Sequence, residues 1–192
     1  MPSKLLAVDI VLLLPPDIAK EMVILSNHLN DSYGEKIRLN TVNRFPHISL
    51  LMGVVQESDM ESIREILNRL ARVNLPLSLT MTGLVSKSTS SAIEIQPIPE
   101  LAKLQNELLE AMRPLLQDSV APEMFVEPPT EKTMDWVRNY VTSHAHYPHI
   151  TVGPTFDNET YTNLKKFTVS QLALAHLGFY CTCCKLLVVS EP

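Results

Sequence analysis

Phe45-Pro46-His47-Ile48-Ser49-Leu50 recurs later in the chain as Tyr147-Pro148-His149-Ile150-Thr151-Val152. Each copy reads aromatic, proline, histidine, isoleucine, hydroxyl, aliphatic, and a glycine follows both, Gly53 after the first and Gly153 after the second. Only 6 His and 14 Pro occur among the 192 residues. Ordinary residue usage therefore makes an accidental second copy rare, roughly one in thousands. Proline is tolerated at the first position of a strand, so each run reads as a strand start. On a strand, residues i and i+2 share a face about 7 Å apart while i+1 points away. His47 then projects with Ser49, and His149 with Thr151, leaving Ile48, Leu50, Ile150 and Val152 to anchor the opposite face. Two such strands, side by side or facing each other, bring together two imidazoles and two hydroxyls.

That set suits phosphoryl chemistry. Imidazole ionises near pH 6.5, so one ring can be neutral and accept a proton while its twin is charged and gives one. Ser49 and Thr151 can donate hydrogen bonds to non-bridging phosphate oxygens as negative charge builds there. This division of labour needs no metal and no cofactor, and neither is expected. One Pro-His-Ile-Thr run alone would be an ordinary strand; the repetition points to a shared site.

Outward from the repeats, the chain alternates strands and helices. Lys4–Leu14 reads as a buried strand with Asp9 its one charge, ended by Pro15 and Pro16. Asp17 can cap a helix to about Tyr33. The first repeat predicts a strand over His47–Met52 stopped by Gly53. A helix follows from Ser58, with Met60, Ile63, Ile66, Leu67 and Leu70 as its apolar stripe. Strands are expected at Leu75–Thr82 and Ala92–Ile95, a helix at Leu101–Leu116, a long loop at Asp118–Pro129 and a helix at Thr130–Thr142. Strands at His149–Val152, Val169–Gly178 and Lys185–Val189 complete the chain. With no Gly-rich phosphate loop, this order is α+β rather than doubly wound. No low-complexity linker divides it, so 1–192 is expected to form a single bilobal domain.

Composition narrows the function. A chain of this length can bury roughly 70% of its unfolded surface, so no disulfide or metal is needed for folding. The net charge of −5 argues against wrapping long nucleic acid, yet leaves room for a small anion in a local positive pocket. No run approaches the roughly 18 apolar residues of a membrane span. Asp9 interrupts Leu5–Leu14 and only Lys4 precedes it, which speaks against a secretory signal. Cys181, Cys183 and Cys184 form an odd cluster that makes no disulfide framework and implies a cytoplasmic location, with buried thiols on a strand.

A His-x-Ser/Thr motif repeated 102 residues apart (149 − 47) resembles the two-histidine (2H) phosphoesterase superfamily, which includes bacterial 2′-5′ RNA ligase-like proteins and cyclic nucleotide phosphodiesterases. The strands from Leu172 to Gly178 and from Lys185 to Val188 are similar, more loosely, to that family's C-terminal hairpin. The resemblance implies a bilobal α+β fold: two antiparallel sheets related by a pseudo-twofold axis around a central cleft, with helices outside. It implies catalytic His47 and His149 and phosphate contacts from Ser49 and Thr151. By the same analogy, His149 is the base that activates water and His47 the acid. The implied substrates are 2′,3′-cyclic phosphates, ADP-ribose cyclic phosphates or 2′-5′-linked nucleotides and short RNA, handled by a monomer. The alternative is a non-catalytic nucleotide-binding or scaffolding module of the same fold.

Arg38, Arg44 and Lys185 are candidate cationic partners of the phosphate, and Tyr180 is the candidate base-stacking ring, with Trp136 and Phe179 assigned to the core. His144-x-His146-x-x-His149 offers a rival metal-binding reading, although the nearest upstream acid is Asp135. His28 and His176 are expected to be structural.

Overall fold

The chain runs β1 (Leu5–Leu13), α1 (Pro16–Tyr33), β2 (His47–Gln56), α2 (Met60–Asn74), β3 (Leu77–Ser86), β4 (Ser91–Ile95), α3 (Pro99–Met112), α4 (Glu131–Ser143), β5 (His149–Gly153), β6 (Lys166–Val169), β7 (Leu172–Leu177) and β8 (Cys183–Val189). These elements come from a computed structural model that describes residues 3–143 and 147–191. His144 and His146, two members of the rival metal motif, lie outside the described residues.

Two four-stranded antiparallel sheets result, ordered β2-β1-β7-β8 and β5-β4-β3-β6. They match strand for strand. Each has a motif strand at one edge, then the strand that precedes it in sequence, then two more. The helices leading into the motif strands are exchanged: α1 precedes β2 but packs on β5, whereas α4 precedes β5 but packs on β2.

Strand β1 is buried on both faces. Leu6, Val8, Ile10 and Leu12 enter the main core, while Ala7 and Val11 enter a smaller one with Met134, Val137 and Cys183. Burial on both sides is why its sequence is nearly continuous apolar residues rather than an alternation. Asp9 lies on the smaller core's side and is wholly buried. Helix α2 turns Ile63, Leu67, Leu70 and Ala71 inward, as its 3.6-residue period requires.

Both motif strands carry a bulge at the same place in the repeat. Opposite β1, Ser49 pairs with Val11 and Leu51 with Ile10, leaving Leu50 as the extra residue. Opposite β4, Thr151 pairs with Ala92 and Gly153 with Ser91, leaving Val152 extra. An extra residue bends the strand and raises its local twist. Leu50 and Leu51 therefore both reach the main core directly after the outward-facing Ser49.

Several boundaries differ from expectation for identifiable reasons. Strand β2 continues through Gly53, where a Cβ would stand 2.7 Å from Leu116 Cδ2; the glycine permits a close approach and does not end the strand. The strand expected from Val169 to Gly178 begins only at Leu172, as β7; Val169 instead ends β6, which pairs in the other sheet. Helix α3 stops at Met112 and tightens into a 3-10 turn at Arg113–Leu115, where Pro114 cannot continue the α-helical hydrogen bonds. Cys183 and Cys184 lie on β8, but Cys181 sits in the turn before it; all three are free and buried. No helix among the described residues is long and apolar enough to cross a membrane.

Candidate active site

The edge strands β2 and β5 lie against one cavity of about 320 Å³, and His47, Ser49, His149 and Thr151 all line it. Both imidazoles are oriented by the same local device. His47 Nδ1 lies 2.7 Å from the Phe45 carbonyl and His149 Nδ1 lies 2.9 Å from the Tyr147 carbonyl. A carbonyl only accepts, so Nδ1–H donates in each ring and the lone pair of the neutral imidazole sits on Nε2. The aromatic residue two positions before each histidine thus fixes the tautomer through its backbone.

The two rings differ in depth. Only 12% of the His47 side chain is exposed, and burial, with a further push from His149, lowers its pKa to about 4 against the opposing Phe45 hydrogen bond. His47 is therefore neutral at neutral pH. Behind it, Asp9 Oδ2 accepts a 2.6 Å hydrogen bond from Ser49 Oγ and stands 3.7 Å from His47 Nε2. Cys183 Sγ stands 3.5 Å from the same nitrogen. Burial raises Asp9 well above the usual carboxylate range, with the Ser49 hydrogen bond opposing.

Around His149 the surroundings are more open. The Tyr147 ring centroid lies 5.5 Å from that of His149, and Lys87 Nζ lies 3.5 Å from the Tyr147 centroid. Burial lowers the Lys87 pKa and Glu94 pulls it back up. Apart from the histidines, Lys87 is the only basic side chain among the cavity's described lining residues, and no Asp or Glu is among them. The cavity is therefore suited to an anion. Trp136, Tyr140 and Tyr180 supply aromatic wall, and Gln105 and Asn106 of α3 supply amides.

The model of the 2'-5' RNA ligase superfamily matches residues 15–190. The chain belongs to that superfamily. Solved structures share the superfamily member's fold at low identity. TT0787 of Thermus thermophilus superposes with a TM-score of 0.63 at 14% identity, covering 96% of this chain and 97% of that one. E. coli LigT in its apo form gives 0.56 at 16% identity, covering 98% and 100%. LigT complexed with 3'-AMP gives 0.54 at 17% identity, covering 90% and 88%. No curated protein sequence matches.

Not every residue singled out from the superfamily member's sequence reaches the cleft. Tyr180 does, held at φ 55 beside Cys181 at φ 56. Two successive non-glycine residues in the left-handed region are strained, and such strain persists where surroundings fix it. Phe179 meets the Tyr180 ring edge-on at 4.2 Å, and Lys36 Nζ lies 5.0 Å from its centroid. Trp136, assigned to the core, is half-buried: it packs against the smaller core and also lines the cavity. Arg38, Arg44 and Lys185 do not line it. Arg38 is turned to Asp31 at 2.7 Å and Arg44 to Glu127 at 3.5 Å, and Lys185 is exposed on β8 opposite His176. Acids nearby outcompete a distant phosphate for an arginine, and nothing in the sequence reveals those pairings. His28 and His176 pair with Glu159 and with the Met124 carbonyl, away from the cleft.

Sequence reasoning missed Lys87, Asp9 and Cys183 as site residues. Asp9 had a signal, being the lone charge in a strand buried on both faces, where a carboxyl costs stability unless it serves a purpose. Lys87 had none: a lysine in a turn is usually a solvated charge.

Proposed function

We propose that this cleft is a phosphoesterase centre that opens a 2′,3′-cyclic phosphate or cleaves a 2′-5′ phosphodiester of a nucleotide or short RNA, without a metal in the reaction. The observation that carries the reading is the pair of Nδ1-anchored imidazoles facing one cavity whose described lining residues include Lys87 and no Asp or Glu. Neutral His47 takes a proton from water through Nε2 as the oxygen attacks phosphorus. Protonated His149 gives its proton to the leaving oxygen as the phosphorus–oxygen bond breaks. This order reverses the one implied by family analogy, and the cause is the depth at which His47 is buried.

Thr151 donates to a non-bridging oxygen, Ser49 does so once its hydroxyl turns from Asp9 to the phosphate, Lys87 offsets the anion's charge, and Tyr180 or Trp136 stacks the base. The nucleotide class draws support from E. coli LigT, crystallised with 3'-AMP, NADP+ and ATP. The test is turnover of 2′,3′-cyclic nucleotides, ADP-ribose 1″,2″-cyclic phosphate and 2′-5′ dinucleotides, with and without EDTA. Turnover of at least one that survives EDTA is expected. Activity abolished by EDTA and restored by a divalent metal would overturn the metal-free mechanism.

A further inference from the structure

Two groups behind His47 are not needed for the proposed reaction, and they converge on the nitrogen that performs it. The ligand atoms of Asp9, His47 and Cys183 all lie within 4.8 Å of one another. We infer that these three residues form a binding site for a thiophilic divalent cation such as Zn²⁺, and that the ion, by occupying Nε2 of His47, holds the centre inactive. The inhibitory clause rests on the proposed role of His47; the binding clause does not.

Both separations from His47 Nε2 lie near those in such a site, and a small closing movement would complete it. Tetrahedral zinc bonds nitrogen at about 2.0–2.1 Å, oxygen at about 2.0–2.2 Å and sulfur at about 2.3 Å, which places neighbouring ligand atoms about 3.3–3.6 Å apart. Here Nε2 stands 3.5 Å from Cys183 Sγ and 3.7 Å from Asp9 Oδ2. The donor set, one thiol, one imidazole and one carboxyl, selects zinc-like ions over magnesium or calcium.

The supporting shell is already in place. A metal-bound histidine almost always donates its other N–H to a carbonyl or carboxylate, as His47 Nδ1 does to Phe45. The coordinating carboxyl oxygen of Asp9 is held by Ser49. Strand β8 is tied to the repeat by Phe45 N–H donating to the Cys183 carbonyl at 3.1 Å, which keeps the thiol beside the ring. The other carboxyl oxygen, Asp9 Oδ1, is buried with no hydrogen-bond partner among the described residues. A buried oxygen left without a partner is costly, and coordination through both oxygens of the carboxylate would satisfy it. Entry is from the cavity, which His47 and Ser49 both line. Coordination forms bonds to sulfur, nitrogen and oxygen; the Cys183 thiol proton and any proton on Asp9 leave to solvent, and no oxidation state changes.

The experiment is a Co²⁺ titration of the metal-stripped protein, read by the thiolate-to-cobalt charge-transfer absorption, followed by displacement with Zn²⁺. One equivalent is expected to bind, and saturating Zn²⁺ to cut turnover roughly tenfold or more, reversed by EDTA. Cys183→Ala should abolish the charge-transfer band and weaken binding at least about a hundredfold, beyond the cost of losing an outer-shell partner. Whatever turnover it keeps in EDTA should no longer fall when Zn²⁺ is added. Cys184→Ala should behave as the parent, and Cys183→Ser repeats the test if the alanine variant folds poorly. No charge-transfer band, a band that survives in Cys183→Ala, or turnover raised by Zn²⁺ would each overturn the inference. If the metal-free protein turns over none of the esters, the phosphoesterase reading fails and the inhibitory clause with it, while the cobalt titration still decides the ion site.

Discussion

Strands β2 and β5 carry the same six-residue pattern and the same bulge, but the strands beside them are not repeats of each other. Across the ladder, His47 faces Leu13 whereas His149 faces Glu94. One residue beyond each bulge partner, β1 offers Asp9 behind Ser49, and the corresponding position before β4 is Ser90. The first imidazole is sunk against a carboxyl and a thiol; the second lies beside Tyr147, whose ring also meets Lys87. Repetition therefore sets backbone geometry and tautomer equally in both halves. Protonation is set by neighbours outside the repeat, and there the halves diverge.

The largest expected effect tests whether both halves are needed. His47→Ala and His149→Ala should each lower turnover by roughly 10²–10⁴, the usual worth of a general acid or base. Circular dichroism should show both variants folded. A variant that is folded and fully active would leave only one working half.

Next comes pH, where the difference between the halves should be visible directly. The base must be neutral, and His47 loses its proton at about 4. The acid limb of kcat/KM, which reports the free enzyme, should therefore fall only as pH drops through about 4, not at the ordinary imidazole range near 6.5. A bound phosphate anion favours the charged ring, so the acid limb of kcat should lie higher than that of kcat/KM. The alkaline limb follows deprotonation of the acid and should vanish in His149→Ala. An acid limb that vanishes in His149→Ala instead would exchange the two roles.

Smaller effects separate the hydroxyls. Ser49→Ala and Thr151→Ala should each cost at most roughly 2–4 kcal/mol of transition-state stabilisation. Ser49→Ala should also disturb stability, because it strips Asp9 of the hydroxyl that donates to it. Equal losses of stability in the two variants would show that Asp9 does not distinguish the halves.

The smallest effect concerns Asp9 itself. Its folded pKa is raised, so between its unfolded and folded values the folded state holds a proton that the unfolded state has lost, and stability falls as pH rises through that window. Asp9→Asn removes the titration. It should be the more stable protein at neutral pH, by about 1 kcal/mol or about 2–4 °C in Tm for a chain of this size. The advantage should shrink as pH falls towards the ordinary carboxylate range. Thermal melts across pH decide it.

Much of this architecture is legible in the sequence. The hexapeptides locate both motif strands, their facing side chains and the need to bring them together, because period-two geometry is local. Helix α2 is legible from its stripe for the same reason. The break between β6 and β7 is not: Ser170 and Gln171 interrupt an apolar stretch so briefly that only the sheet pairing shows the strands belong to different layers. Arg38 and Arg44 mislead because their partners, Asp31 and Glu127, are set by chain folding rather than spacing. Cys183 can be counted in the sequence, but its meeting with His47 requires the first sheet to curl until its far strand returns to the repeat.

The placement of β1 between β2 and β7 has a consequence for the chain while it is being made. Val8 pairs with His176, a separation of 168 residues (176 − 8). At synthesis rates of about 5–20 residues per second, the nascent β1 waits roughly 10–30 s for its second neighbour after emerging. Through that interval β2 can cover one side of it, but the other edge is an open template of Leu, Val and Ile. In water, Asp9 is ionised, and a charge in the middle of such a segment discourages pairing with other chains. Once β7 arrives and the strand is enclosed, the same carboxyl loses its water and holds its proton more tightly. The residue that guards the unfinished chain against aggregation is thus the one that the finished fold can recruit beside His47.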